Sequence, residues 1–158
     1  MMLNYLKQTT MKKLLGLVFL MLFLVSTTGM ISPKPHDKKS LEGTWRLVSH
    51  YNYDENLITD TILADENHRQ VKMFYNGKVM WTRYVPKDSV EWFGFGSYKT
   101  TDTSLMEILE YGSASMMGVI DTMRVFRFKL ELEENTYSQI NLDEEGNKFF
   151  SENYKRID

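Results

Sequence analysis

The stretch QVKMFYNGKVMWTRYV, residues 70–85, decides the fold. At its centre Asn76-Gly77 accepts the positive φ angles of a two-residue hairpin turn, and it separates two runs rich in aromatic and β-branched residues, 70–75 and 78–85. A tight turn between two strand-forming runs is an antiparallel hairpin. Working outward, TWRLVSH at 44–50 reads as a strand with Trp45, Leu47 and Ser49 on one face and Thr44, Arg46, Val48 and His50 on the other, and Tyr51 and Tyr53 are placed to extend it. Downstream, Pro86, Lys87 and Asp88 break the pattern, and FGFGSYKT at 93–100 alternates glycine with aromatics in the way of a bent strand.

The remaining segments continue the series. Residues 105–111 have helix-forming composition, but the alternation of Leu105, Glu107, Leu109 and Tyr111 between two β runs favours a strand. MRVFRFKLEL at 123–132 sets Phe126, Phe128, Leu130 and Leu132 on one face against Val125, Arg127, Lys129 and Glu131 on the other. Residues 136–142 and 148–157 flank an acidic turn at Glu145, Gly146 and Asn147, closing a last hairpin. The expectation is an all-β domain, an antiparallel up-and-down barrel of about eight strands, the number at which such a sheet closes around a small interior. Two stretches fit less directly. Residues 54–68 are acidic and only briefly apolar, and read as a surface excursion, with a short helix or a lid as alternatives. Met116, Met117 and Gly118 read as a loop packed at the barrel mouth, with an exposed apolar tip as the alternative.

The N-terminus has a different character. Lys12 and Lys13 open onto an unbroken apolar run of 12 residues, 14–25. That is a basic n-region and an h-region well short of the roughly 20 residues of a membrane-crossing helix, so a cleaved signal helix is favoured over an uncleaved anchor. Thr27 and Gly29 suit cleavage before Met30, with Ser26 or Thr28 serving instead in nearby alternatives. Residues 1–29 are thus a leader and signal peptide, 30–40 a proline-containing flexible lead-in, and 41–158 the barrel domain. Export places the protein in the periplasm, on the cell surface or outside. The chain contains no cysteine, which removes disulfides, thiolate nucleophiles and lipidation through cysteine. Loss of residues 1–29 leaves 16 basic against 21 acidic side chains, a formal charge of −5, which argues against a nucleic-acid partner.

Gly43, Thr44 and Trp45, followed by Arg46, Leu47, Val48 and Ser49, resemble the G-x-W opening of lipocalin-type barrels. The run Glu152, Asn153, Tyr154, Lys155, Arg156, Ile157 resembles the closing strand of the same group. The resemblance implies that Arg156 packs across Trp45 at the closed end, a cation–π contact of about 0.5 to 2 kcal/mol, with Gly43 beside them. More narrowly, residues 41–158 are similar to the calycin-like domains of exported Bacteroidota proteins, through VKMFYNGKVMW, Gly94-x-Gly96-x-Tyr98, the Glu107 strand and Glu152-x-Tyr154-x-Arg156. That group brings a fold and no established reaction.

Strand parity gives eight inward candidates for a ligand site: Trp81, Arg83, Tyr98, Glu107, Tyr111, Gln139, Glu152 and Tyr154. Arg83 paired with Glu107 or Glu152 would form a buried ion pair, either closing the core or anchoring a carboxylate ligand. No metal site is expected, because His36, His50 and His68 are scattered, and no cofactor motif appears: Gly94 and Gly96 open no helix, and no G-x-S-x-G elbow is present. The reading favoured by the sequence is therefore a binding protein holding a small apolar or amphipathic molecule inside the barrel. A protein-interaction module of the envelope with a filled barrel comes second, and an enzyme using the inward carboxylates third.

Overall fold

A computed structural model describes residues 39–84 and 90–158; the leader and signal peptide, most of the lead-in and the Pro86-Lys87-Asp88 break lie outside the described residues. In chain order the strands are β1 (Gly43–Asp54), β2 (Leu57–Leu63), β3 (Arg69–Tyr75), β4 (Lys78–Tyr84), β5 (Trp92–Thr100) and β6 (Ser104–Gly112). A short helix α1 (Ala114–Ile120) precedes β7 (Val125–Leu132), β8 (Thr136–Leu142) and β9 (Lys148–Arg156). All pairings are antiparallel, and pairing of β9 with β1 closes the sheet on itself. One edge of β1 is shared: Gly43 to Arg46 pair with β3, and Ser49 to Asp54 pair with β2. Eight strands therefore make the ring, and β2 stands outside it along the upper half of β1.

The strand expected at 105–111 is present as β6, and the Asn76-Gly77 hairpin forms in the register the dipeptide dictates, with Tyr75 opposite Lys78 and both turn residues at positive φ, 47° and 73°. Three expectations are corrected. The 54–68 excursion contains a strand, because Glu55 and Asn56 both adopt positive φ (47° and 65°) and turn the chain back tightly on β1. The Met116-Met117-Gly118 loop is helical: the Ser113 hydroxyl accepts a hydrogen bond from the Met116 amide at 3.3 Å and caps the helix, whose Met116 and Ile120 are buried. Strict alternation in β1 also fails, because the register against β9 skips Val48 and sets His50 opposite Glu152.

The closed end carries the tightest packing. Trp45 is fully buried, its indole N–H donates to the Leu41 carbonyl at 2.8 Å, and its ring meets Tyr137 edge-on with centroids 4.9 Å apart. The Arg156 guanidinium lies 4.0 Å from the Trp45 ring centroid and donates to the carbonyls of Glu42, Ser40 and Glu134. Gly43 leaves the room this needs: its φ is +130°, and a Cβ there would stand 2.2 Å from Arg156 Nη1. Tyr137 stacks on Tyr154 at 4.6 Å with planes 5° apart, and its buried hydroxyl has no hydrogen-bond partner among the described residues. An unmet buried hydroxyl costs roughly 1 to 3 kcal/mol, so Tyr137→Phe is expected to raise the free energy of unfolding by up to about that much, read as a higher denaturation midpoint. An unchanged or lowered midpoint would show that the hydroxyl is satisfied.

β2 is exposed at all seven positions, and no described strand pairs with its second edge. Its sequence, LITDTIL, reads the same in both directions, so two copies pairing antiparallel about Asp60 would place Leu on Leu and Ile on Ile. Two features guard that edge: Asp60 would face Asp60, and a bulge interrupts the pairing with β1 between Asn52 and Tyr53. Asp60→Val is expected to produce dimers or larger species on size-exclusion chromatography at concentrations where the parent chain elutes unchanged.

Candidate functional site

The ring closes tightly at the Trp45 end and stays hollow toward the other, where a cavity of about 140 Å³ lies inside the barrel. Its apolar walls are Trp81, Trp92, Leu109, Met116, Phe126 and Phe128. Its polar lining is Gln70, Lys72, Arg83, Glu107, Gln139 and Glu152. Trp81 keeps its position because Gly94 faces it; a Cβ on Gly94 would come 2.8 Å from the indole nitrogen. Gly96 is held closer still, since a Cβ there would fall 2.1 Å from the Ile108 carbonyl oxygen. These glycines, expected to bend β5, also leave space for the neighbouring groups.

The polar groups form one connected series across the interior. Lys72 Nζ donates to Glu107 Oε1 at 2.8 Å and to Gln139 Oε1 at 2.7 Å. Gln139 Nε2 donates to Glu152 Oε2 at 2.8 Å, and the Tyr154 hydroxyl donates to the same oxygen at 2.6 Å. Gln70 Nε2 reaches the Tyr154 hydroxyl at 2.6 Å and Glu152 Oε2 at 3.4 Å. Lys72 and Glu107 are almost wholly withdrawn from water, with side chains 4% and 3% exposed, so the pair must be closely matched to persist. Burial first, then the charge of Glu152, holds the Tyr154 hydroxyl well above its usual range; burial and then the charges of Glu107 and Glu152 do the same for Tyr137. Both phenols are therefore neutral at physiological pH, and Tyr154 serves as a donor. His50, stacked on Phe150 at 5.3 Å, is held below its usual range mainly by burial, against the opposing attraction of Glu152.

Of the eight residues expected to face inward, Trp81, Arg83, Glu107, Gln139 and Glu152 line the cavity. Tyr154 is buried beside it through Glu152 and Gln70. Tyr98 packs nearer the closed end, edge-on to Phe74 at 4.9 Å. Tyr111 is a correction: it is 53% exposed and packs on Phe95 on the outer side. The cause is a bulge. Phe95 pairs with Tyr111 and Gly96 with Leu109, so Glu110 is the extra residue and the alternation that carries Glu107 and Leu109 inward reverses beyond it. The ion pair is the second correction, since Arg83 is exposed and makes no salt bridge with a described residue, and the buried partner of Glu107 is Lys72.

Parity reasoning missed the apolar walls Trp92, Leu109, Met116, Phe126 and Phe128 and, among the polar groups, Lys72 and Gln70. The hairpin held the signal: a two-residue turn at Asn76-Gly77 pairs Lys72 with Trp81 and Gln70 with Arg83, and cross-strand partners share a face. Once Trp81 is inward, Lys72 must be.

No family model matches the chain, and no curated protein matches it. Among solved structures, it is similar to a lipocalin-like protein from Bacteroides uniformis ATCC 8492 (TM-score 0.52, 18% identity, 74% of this chain and 98% of that one). It is also similar to an uncharacterised protein from Bacteroides eggerthii DSM 20697 (TM-score 0.51, 16% identity, 75% of this chain and 100% of that one). With the β1–β9 closure and the Arg156–Trp45 stack already in place, these likenesses make the fold lipocalin-like.

Proposed function

We propose that this chain is an exported binding protein that holds one small amphipathic molecule inside the barrel without changing it. The cavity carries the reading: it is enclosed on several sides by aromatic and aliphatic walls, and its few polar groups converge from different strands, as in sites that orient a ligand. Its size limits the cargo. A volume of about 140 Å³ is close to the roughly 150 Å³ that accommodates benzene, so the occupant is about one ring in size rather than a long acyl chain. The same cavity weighs against the reading of a filled barrel serving only as an interaction module. Export rests on the n-region and apolar run at 12–25.

Displacement of an environment-sensitive dye, with native mass spectrometry of the freshly purified protein, tests the proposal. Bound small molecules, or saturable displacement by single-ring compounds, are the expected outcome. Complete absence of both would favour the filled-barrel module. Trp81 and Trp92 line the cavity, so the intrinsic fluorescence should shift on binding, and Trp81→Ala should remove most of that shift.

A further inference from the structure

Given that interior cargo site, its charge and hydrogen-bond inventory points to the class of molecule. The enclosed part of the lining holds two carboxylates, Glu107 and Glu152, against one ammonium, Lys72. Lys72 is already committed to Glu107 Oε1 and Gln139. Arg83, the other cation of the lining, is exposed, where water competes for it and its attraction is screened. The donors that reach Glu152, from Gln70, Gln139 and Tyr154, are all neutral and all converge on Oε2. Among the described residues none donates to Glu152 Oε1 or to Glu107 Oε2, and these two residues line the same cavity as four aromatic rings. A carboxylate oxygen accepts and cannot donate, so what completes it is an N–H or O–H donor, best a charged one. The aromatic walls favour a cation in the same direction.

We propose that the cavity selects small protonated amines about one ring in size, the ammonium held by Glu152 with Glu107 beside it and the ring packed against Trp81, Trp92, Phe126 and Phe128. An anionic ligand of the same size would bring its charge toward two carboxylates with no uncommitted buried cation to meet it.

Three probes of one shape separate the alternatives: benzylamine, benzyl alcohol and benzoate, titrated against the full chain at neutral pH by tryptophan fluorescence and calorimetry. Benzylamine is expected to bind more tightly than benzyl alcohol by about tenfold or more, the scale of one charge-assisted hydrogen bond, with benzoate weakest. Glu152→Gln keeps the side-chain shape and an acceptor oxygen for Gln139 and Tyr154, so it should bring benzylamine down to the affinity that benzyl alcohol has for the same variant, with circular dichroism reporting that the variant is folded. Benzoate binding as tightly as benzylamine, or an unchanged preference in Glu152→Gln, would overturn the amine assignment and leave the cargo-binding reading intact. If none of the three perturbs the protein, both fall together.

Discussion

Trp45→Ala is expected to destabilise the domain by about 3 to 5 kcal/mol, the range for removing a fully buried large aromatic, against a total of roughly 5 to 15 kcal/mol for a domain of ordinary stability. Local collapse cannot soften the loss. The indole is held on three sides: by the Leu41 carbonyl, by the edge of Tyr137 and by the Arg156 guanidinium. Because β1 pairs with β9 through Trp45 and Arg156 themselves, the cavity left behind sits in the seam that closes the ring. Arg156→Lys should lose a large part of the closure despite keeping the charge, since the arginine fork reaches three carbonyls from Ser40, Glu42 and Glu134 and an ammonium cannot reproduce that plane. Gly43→Ala should also be destabilising, from its φ of +130° and from the contact with Arg156. In combination, Gly43→Ala with Arg156→Ala should cost less than the sum of the two, because the second change removes the group the first collides with. Denaturant midpoints of these variants and of Arg156→Ala alone, followed by circular dichroism, check the set, and strict additivity would show that Gly43 is required for backbone conformation alone.

The sequence carried the ring further than it carried the site. Asn76-Gly77, the alternation in β7 and the acidic turn before β9 each work locally, through turn chemistry and period-2 burial, and each is where the residues place it. What escaped were the places where one residue is inserted into a ladder. Val48 and Glu110 look ordinary in the chain, yet each is skipped in pairing, and the faces beyond them reverse: His50 comes to stand opposite Glu152, and Tyr111 turns out of the barrel. A bulge is set by the fit of neighbouring strands around a closed sheet, so no local pattern announces it. β2 escaped for another reason. All seven of its residues are exposed, so it carries no burial alternation, and its turn is Glu-Asn in place of the stronger glycine-containing pairs. Lys72 is a third kind of miss. Hydrophobicity would put Val71, Met73 and Tyr75 inside β3, but Met73 and Tyr75 are largely exposed and the buried positions are Gln70, Lys72 and Phe74. Register overrides hydrophobicity there, because Phe74 belongs to the core at the closed end and fixes its alternate neighbours on the same face.

Lys72→Met alone is expected to cost about 3 to 5 kcal/mol, because it leaves the Glu107 carboxylate buried with no cation and takes the donor from Gln139. Lys72→Met together with Glu107→Leu should recover that loss and, on the behaviour of other buried pairs, match the parent or exceed it in stability by up to about 4 kcal/mol. Denaturant midpoints of the two single variants and the double variant measure the coupling directly. The comparison separates two reasons for keeping charge inside a barrel. If the pair serves only to hold β3 against β6, the apolar double variant should lose nothing beyond a small packing difference. If it also sets the chemistry of the cavity, a stable double variant should bind neutral single-ring compounds at least as well as the parent, since the walls of Trp81, Phe126 and Phe128 remain and the interior has become less polar. A stable double variant with unchanged affinity for charged and neutral probes alike would assign the Lys72–Glu107 pair to structure and leave recognition to Glu152.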